Sequence, residues 1–379
     1  MAKLGDICTF QSGGTPSKSN SEYFNGSIPW ITTVALTGDY IDKNDAVDWI
    51  TDKAIQESAA KIVPENSIMV GTRVGIGKVA INAVPMSTSQ DIVSLINIDD
   101  TKWDKKFLCK VILARNNVLL SQARGATIKG IKIDTLAKLE IPEIPLNEQR
   151  RISAVLDKVS GLIAKRREQL DKLDELVKAR FVEMFGDPSA NSQWPTQKLS
   201  KLGELNRGVS KHRPRNDPDL LGGPYPLIQT GDVSNSGLYI SDYSSTYSEL
   251  GLAQSRLWKE GTLCITIAAN IAQTSILAFD ACFPDSVVGF LPGEKTNAVF
   301  VHYWFSFFQK ILEEQAPQVA QKNINLKILS DLDVIVPPYN LQADFSDFVG
   351  QIEKSKLTIQ QSLDRLEVLK KALMQQYFG

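Results

Sequence analysis

The chain has 379 residues, enough for two or three domains with their own cores, and its 43% hydrophobic and 22% charged residues are those of ordinary globular protein. No run approaches the ~20 apolar residues of a membrane helix, and Met1-Ala2-Lys3-Leu4-Gly5-Asp6 carries no leader pattern, so a cytoplasmic protein without a membrane partner is expected. Lys plus Arg number 42 against 43 Asp plus Glu, a net charge of −1, which excludes the strongly basic balance of a freestanding nucleic-acid binder and leaves that role to local patches.

In chain order, the first part holds short β-rich runs. Ser67-Ile68-Met69-Val70 and Lys78-Val79-Ala80-Ile81, punctuated by Gly, Asn and Pro, read as strands and turns of an α+β fold. Between them, Gly71 to Lys78 invites a phosphate-loop reading. It fails, because Thr72 stands where the pattern needs glycine and Val79 where it needs Ser or Thr. After Pro142 and Pro145 a proline-free, glycine-poor run from Asn147 to Phe185 predicts one long helix. Its apolar residues Leu156, Val159, Ile163, Leu170, Leu173 and Val177 are spaced 3, 4, 7, 3 and 4, the pattern of a coiled-coil seam. A second β-rich part follows, with Leu263-Cys264-Ile265-Thr266-Ile267 as a strand. The chain closes on a second helical run whose Ile352, Ile359, Leu363, Leu366, Leu373 and Tyr377 are spaced 7, 4, 3, 7 and 4.

These parts are one unit used twice. Leu136 to Gln149 (LAKLEIPEIPLNEQ) matches Leu329 to Gln342 (LSDLDVIVPPYNLQ) at an offset of 193 residues, and the same offset carries Ser153 to Ser346, Leu170 to Leu363, and Phe185-Gly186 to Phe378-Gly379. Earlier matches drift: Leu4-Gly5-Asp6 resembles Leu202-Gly203-Glu204, Glu65 to Ile68 resembles Glu260 to Leu263, and Asp91 to Val93 falls near Ser286 to Val288. The expected domains are a globular part over 1–146, a spacer helix over 147–186, a second globular part over 187–339 and a second helix over 340–379. Helices of that length, about 55 Å at ~1.5 Å per residue, outrun one small domain. Antiparallel pairing of the two would give a pseudo-two-fold molecule with a globular part at each end of a stiff rod; packing of each stripe on its own globular part, or on another chain, is the alternative. Arg166, Lys356 and Lys370 interrupt the seam, which weakens packing but can restrict register.

The segments running from Gly125-Ala126-Thr127-Ile128-Lys129 to Ile152, and from Gln321-Lys322-Asn323-Ile324-Asn325 to Phe345, resemble the type I restriction-modification specificity (S) subunit. Strand end, proline turn, Gln-bearing helix start and long helix occur in that order in both halves, and the likeness spans essentially the whole chain. The resemblance implies two target recognition domains, each reading one half of a bipartite, asymmetric double-stranded DNA sequence. It further implies helices that set the half-site spacing and dock two methyltransferase subunits, with restriction (endonuclease/translocase) subunits as further partners. Two readers about one helical turn apart on one side of a duplex need a stiff spacer.

DNA affinity comes mostly from Lys and Arg on phosphates, and base edges are read by Arg, Lys, Asn and Gln. Candidates in the first domain are Arg73 and Lys78 in the glycine-bearing Gly71–Lys78 loop, and Arg124, Lys129 and Lys132 around Gly125 and Gly130. Those in the second are Arg207, Lys211, Arg213 and Arg215, with four basic residues in nine positions, together with Lys322, Asn323 and Lys327. Any one of them could instead be a solvated surface cation. A coiled-coil scaffold whose globular ends bind proteins is the competing reading. Catalysis finds no support: Val336-Pro337-Pro338-Tyr339 resembles the motif of adenine methyltransferases but has valine where a side-chain acceptor is needed. The scattered Cys8, Cys109, Cys264 and Cys282, with His212 and His302 alone, suggest no metal, disulfide frame or cofactor. A non-catalytic subunit is expected.

Overall fold

Period-two alternation decides where each central strand sends its side chains. In Ile68–Gly71 and Val79–Asn82, Ile68, Val70, Val79 and Ile81 enter one core with Phe107, Leu108 and Ile112, while Met69 and Ala80 enter another with Ile31 and Met86. Both faces are covered, so these strands read as apolar runs rather than as alternating ones. The computed structural model describes residues 1–125, 129–188, 193–212, 214, 216–268, 271–308, 311 and 324–379. By internal contacts it forms two units, Met1–Arg167 with Ser362–Gly379, and Glu168–Gln361. Each long helix, Leu146–Phe185 and Tyr339–Phe378, contributes a part to each unit.

The first unit holds a five-stranded sheet in the order Thr9–Ser12, Ile92–Ile96, Ile68–Gly71, Val79–Asn82, Tyr40–Ile41. A four-stranded sheet runs Asp48–Ile50, Phe24–Ile31, Met86–Thr88, Ile62–Val63, and Ala2–Lys3 pairs with Glu140–Ile141. The second unit repeats all three: Gly203–Arg207, Val287–Pro292, Leu263–Thr266, Thr274–Leu277, Tyr239–Ile240; then Ser245–Tyr247, Leu221–Leu227, Ala281–Cys282, Leu257–Trp258; and Thr196–Lys198 with Asp333–Ile335. Even the single parallel pair at the five-stranded edge recurs, Tyr40 beside Ile81 and Tyr239 beside Ile276. The fold is α+β with an internal repeat, as the sequence repeat implies.

The structure corrects one repeat assignment. Leu4 N–H donates to Leu139 O at 2.9 Å and Leu199 N–H to Leu332 O at 2.9 Å, so the partner of Leu4 is Leu199, not Leu202. Both leucines are fully buried. The Glu65–Ile68 match stands: Asn66 and Gly261 occupy the same left-handed turn, with φ of 60° and 84°, where Asn and Gly are the residues that fit without strain.

Each unit holds the two helices antiparallel. In the first, Ile152 and Leu156 near one helix start share a core with Leu373, Met374 and Phe378 near the other helix end, and Arg167 meets Glu367 at 2.6 Å. In the second, Phe181 and Phe185 pack on Phe345, and Asp174 meets Lys356 at 2.5 Å. Of the expected seam residues, Leu156, Val159, Ile163, Val177 and Leu363 are buried; Leu170, Leu173, Ile352, Ile359, Leu366, Leu373 and Tyr377 are partly buried. Leu156, Leu373 and Tyr377 join the core of the first unit, and Val177 and Ile352 that of the second. Of the interrupting cations, Lys356 is held by Asp174 and Glu353, whereas burial, then Lys110 and Arg167, lower the Lys370 pKa.

Gly161 and Gly350 sit inside these helices with open space where a Cβ would go. Alanine spares the entropy that glycine loses in a helix, so the pair Gly161→Ala and Gly350→Ala should add about 1–2 kcal/mol. Guanidinium unfolding midpoints check this, and an unchanged or lower midpoint refutes it.

Candidate nucleic-acid interface

In the first unit, three cations far apart in sequence come together. Arg73, Arg124 and Lys132 line one cleft of about 740 Å³ with Ser121, Gln122 and Thr135. The backbone explains the convergence: Arg124 and Gly130 exchange both hydrogen bonds at 2.9 Å, and Ile131 N–H donates to Thr72 O at 2.8 Å, tying this segment to the loop that carries Arg73. Gly130 permits the approach, because a Cβ there would lie 3.1 Å from Arg73 Cγ. Arg73 Nη1 stands 3.8 Å from Asp91 Oδ1 with more than half of its side chain exposed. Among the described residues no ion pair engages Arg124, Lys129 or Lys132. A cleft with three cations against one distant carboxylate is suited to an anion.

Lys129 is exposed in the same segment, beside but not lining the cleft, and Ala126, Thr127 and Ile128 lie outside the described residues. Lys78 is exposed and turned along its own loop, its side chain lying over Gly75. The glycines of that loop close it on itself: Gly77 N–H donates to Gly71 O at 2.9 Å, and Lys78 N–H to Gly75 O at 3.1 Å. Gln122, Ser121 and Thr135 carry no signal in the sequence, since only tertiary contact brings them to the cations.

In the second unit, Arg207 is exposed and its Nε–H donates to Asp285 O at 2.9 Å. Lys211 is exposed on a loop held by Gln254, whose Oε1 accepts from Lys211 N–H at 2.6 Å and from His212 N–H at 3.0 Å. Lys327 is exposed on a separate short helix, Leu326–Asp331. Arg213, Arg215, Lys322 and Asn323 lie outside the described residues. The two histidines are in unlike settings: His212 Nε2 meets Asp217 Oδ2 at 2.9 Å, while His302 Nδ1 lies 3.0 Å from Thr274 Oγ1 and burial pushes its pKa down to about 4. The Val336-Pro337-Pro338-Tyr339 segment ends a strand and starts a helix.

The family model described as the type I restriction modification DNA specificity domain matches twice, over residues 1–174 and 191–370. The chain is 31% identical over 409 residues to the type I restriction enzyme MjaIX specificity subunit of Methanocaldococcus jannaschii, covering 99% of this chain and 91% of that one. It is 33% identical over 185 residues to the EcoR124I/EcoR124II specificity subunit of Escherichia coli, covering 47% and 45%. Among solved structures it is similar to a chain from work on assembly and conformational transition of the type I R-M system, with TM-score 0.61 and 18% identity over 100% of this chain and 96% of that one. It is also similar to the S subunit from M. genitalium, with TM-score 0.55 and 17% identity over 100% and 95%. At such identities the structural likeness speaks for the fold alone. No helix among the described residues is long and apolar enough to cross a membrane.

Proposed function

The chain belongs to the type I restriction-modification DNA specificity family, and from that premise we propose that each globular part reads one half of a bipartite, asymmetric duplex DNA target. The observation that carries this is the convergence of Arg73, Arg124 and Lys132 on one cleft. Phosphates are anionic and closely spaced, and such a cation cluster binds them with release of counterions. The two units share strand order yet differ in their loop cations, which supports two different half-sites rather than a palindrome. Helices of 40 residues each, about 60 Å at the helical rise, support a spacer between the readers. The repeat supplies two copies of one helical surface, which suits docking of two methyltransferase subunits. The chemistry then belongs to those subunits, and this chain contributes recognition without a catalytic group. With a net charge of −1, the isolated chain binds DNA weakly and the assembly binds it well.

The test is the salt dependence of DNA binding by the assembled complex. Replacing Arg73, Arg124 and Lys132 together by alanine should weaken binding to every sequence. It should also flatten the plot of log K against log salt by about 0.9 for each phosphate no longer neutralised, near 3 for all three. An unchanged slope with unchanged affinity removes this cleft from the interface.

A further inference from the structure

The second unit has a cleft of another kind. Some 290 Å³ in volume, it is lined by Asn216, Gln229, Ser245 and Tyr247 over a floor that includes Leu227 and Pro284, and no charged residue is among its described lining residues. Among the described lining residues there is no cation to neutralise a phosphate. A base edge suits it better: it offers donors and acceptors at fixed spacing and a flat apolar face, and amide side chains match adenine with two hydrogen bonds at once. Cations stand on the adjoining backbone, where Ser210 of the cleft lining lies between Arg207 and Lys211.

The cleft is also built to hold its shape. Arg207 Nε–H is bonded to Asp285 O, Ser255 Oγ–H to Val209 O at 2.8 Å, and the N–H groups of Lys211 and His212 to Gln254 Oε1. Gln229 is fixed at its backbone, its N–H donating to Asp232 Oδ2 at 2.7 Å, while its side chain reaches Ser245 Oγ through a long 3.3 Å bond from the amide nitrogen. A reader needs a fixed root and an amide that solvent and a base can reach, and Gln229 is exposed at the start of the helix Thr230–Asn235. The cationic cleft of the first unit has three charges to position a backbone; this one has neutral groups to discriminate.

We infer that this uncharged cleft reads an adenine edge in the half-site of the second unit, with Gln229 as a specificity-determining residue and Asn216 beside it. The inference rests on the DNA-reading function proposed above. Gln229 is exposed and outside the core, and apart from the Ser245 bond its side chain takes part only in the capping box of the short helix Thr230–Asn235, which Gln229→Glu preserves through its acceptor oxygens.

The experiment measures competition binding of the assembled complex, carrying the full-length chain, against duplexes altered one base pair at a time. For Gln229→Ala the expected result is loss of discrimination at one position only, about 10- to 100-fold, as for one bidentate base contact, with the salt slope unchanged. Gln229→Glu should move the preference at that position from adenine towards cytosine, whose amino group a carboxylate accepts. A wild-type complex that shows no preference among sequences overturns DNA reading itself. A wild-type complex that discriminates, with Gln229 variants that discriminate identically at every position or that lower the salt slope instead, overturns this assignment alone.

Discussion

Replacing Gln342 with alanine is expected to cost about 3 kcal/mol of stability in the second unit, and Gln149→Ala to cost a similar amount in the first. Both glutamines are at most 1% exposed in the first turn of a long helix. The Gln342 amide nitrogen donates to Lys295 O at 3.0 Å and to Pro337 O at 2.9 Å, and its oxygen accepts from the Thr296 hydroxyl at 2.9 Å. Gln149 does the same work: its nitrogen donates to Lys102 O and Ile144 O, each at 2.9 Å, and its oxygen accepts from Asp104 N–H at 2.9 Å. Alanine would strand two carbonyls and a donor in a site closed to water, where each orphan costs ~1–3 kcal/mol less whatever relaxation recovers. Gln342→Glu should be no milder, because it replaces two donors by acceptors facing carbonyl oxygens. Urea unfolding gives the loss, and hydrogen exchange should show amides opening around Lys295–Thr296 and the helix start. A midpoint within experimental error of wild type would mean that the three bonds do not hold the helix to its domain.

This latch is where the sequence is both most and least legible. Gln149 and Gln342, and Ser153 and Ser346, stand out as letters repeated 193 residues apart. Their reason is invisible in the letters, because the partners lie elsewhere: Ser153 Oγ–H donates to Asp104 at 2.8 Å and Ser346 Oγ–H to Asn297 at 3.1 Å, and those acceptors cap the helices Lys105–Ala114 and Ala298–Phe305. Asp104 and Asn297 are themselves 193 apart, as are Phe107 and Phe300. The strict repeat thus begins before the tail, but Asp against Asn, and Cys109 against His302, conceal it. The long helices are readable because a 3.5-residue period needs no tertiary knowledge. The clefts are not: Arg73 and Lys132 adjoin through a backbone bond between Thr72 and Ile131, and no local pattern encodes that. Gln229 has no marker at all, being one polar residue among many until the strands fold around it.

The larger single loss is expected at Phe181. Its ring, fully buried, lies 4.9 Å from Phe185, 5.4 Å from Phe300 and Phe345, and 5.6 Å from Phe307. It is the one ring of this group that touches the other four, so it joins the helix Leu146–Phe185, the helix Tyr339–Phe378 and the globular core at one point. The residues 193 away from these five are Met374, Phe378, Phe107, Ile152 and Ala114; in the first unit only Phe107 and Phe378 remain aromatic, with centroids 5.6 Å apart. Two solutions therefore seat the same helix pair, an aromatic hub in one unit and aliphatic filling in the other. Phe181→Ala should cost about 4 kcal/mol, the transfer term plus a cavity that four rigid rings cannot close. Met374→Ala, at a partly buried position lined by adaptable aliphatic chains, should cost about 1–2 kcal/mol. Phe181→Leu should fall between them, since it keeps apolar volume but loses the edge contacts. Denaturant unfolding of the three variants tests the order. A Phe181→Ala loss no larger than that of Met374→Ala would show that the cluster is packed loosely enough to relax, and would remove the hub as the anchor of the second unit's helices.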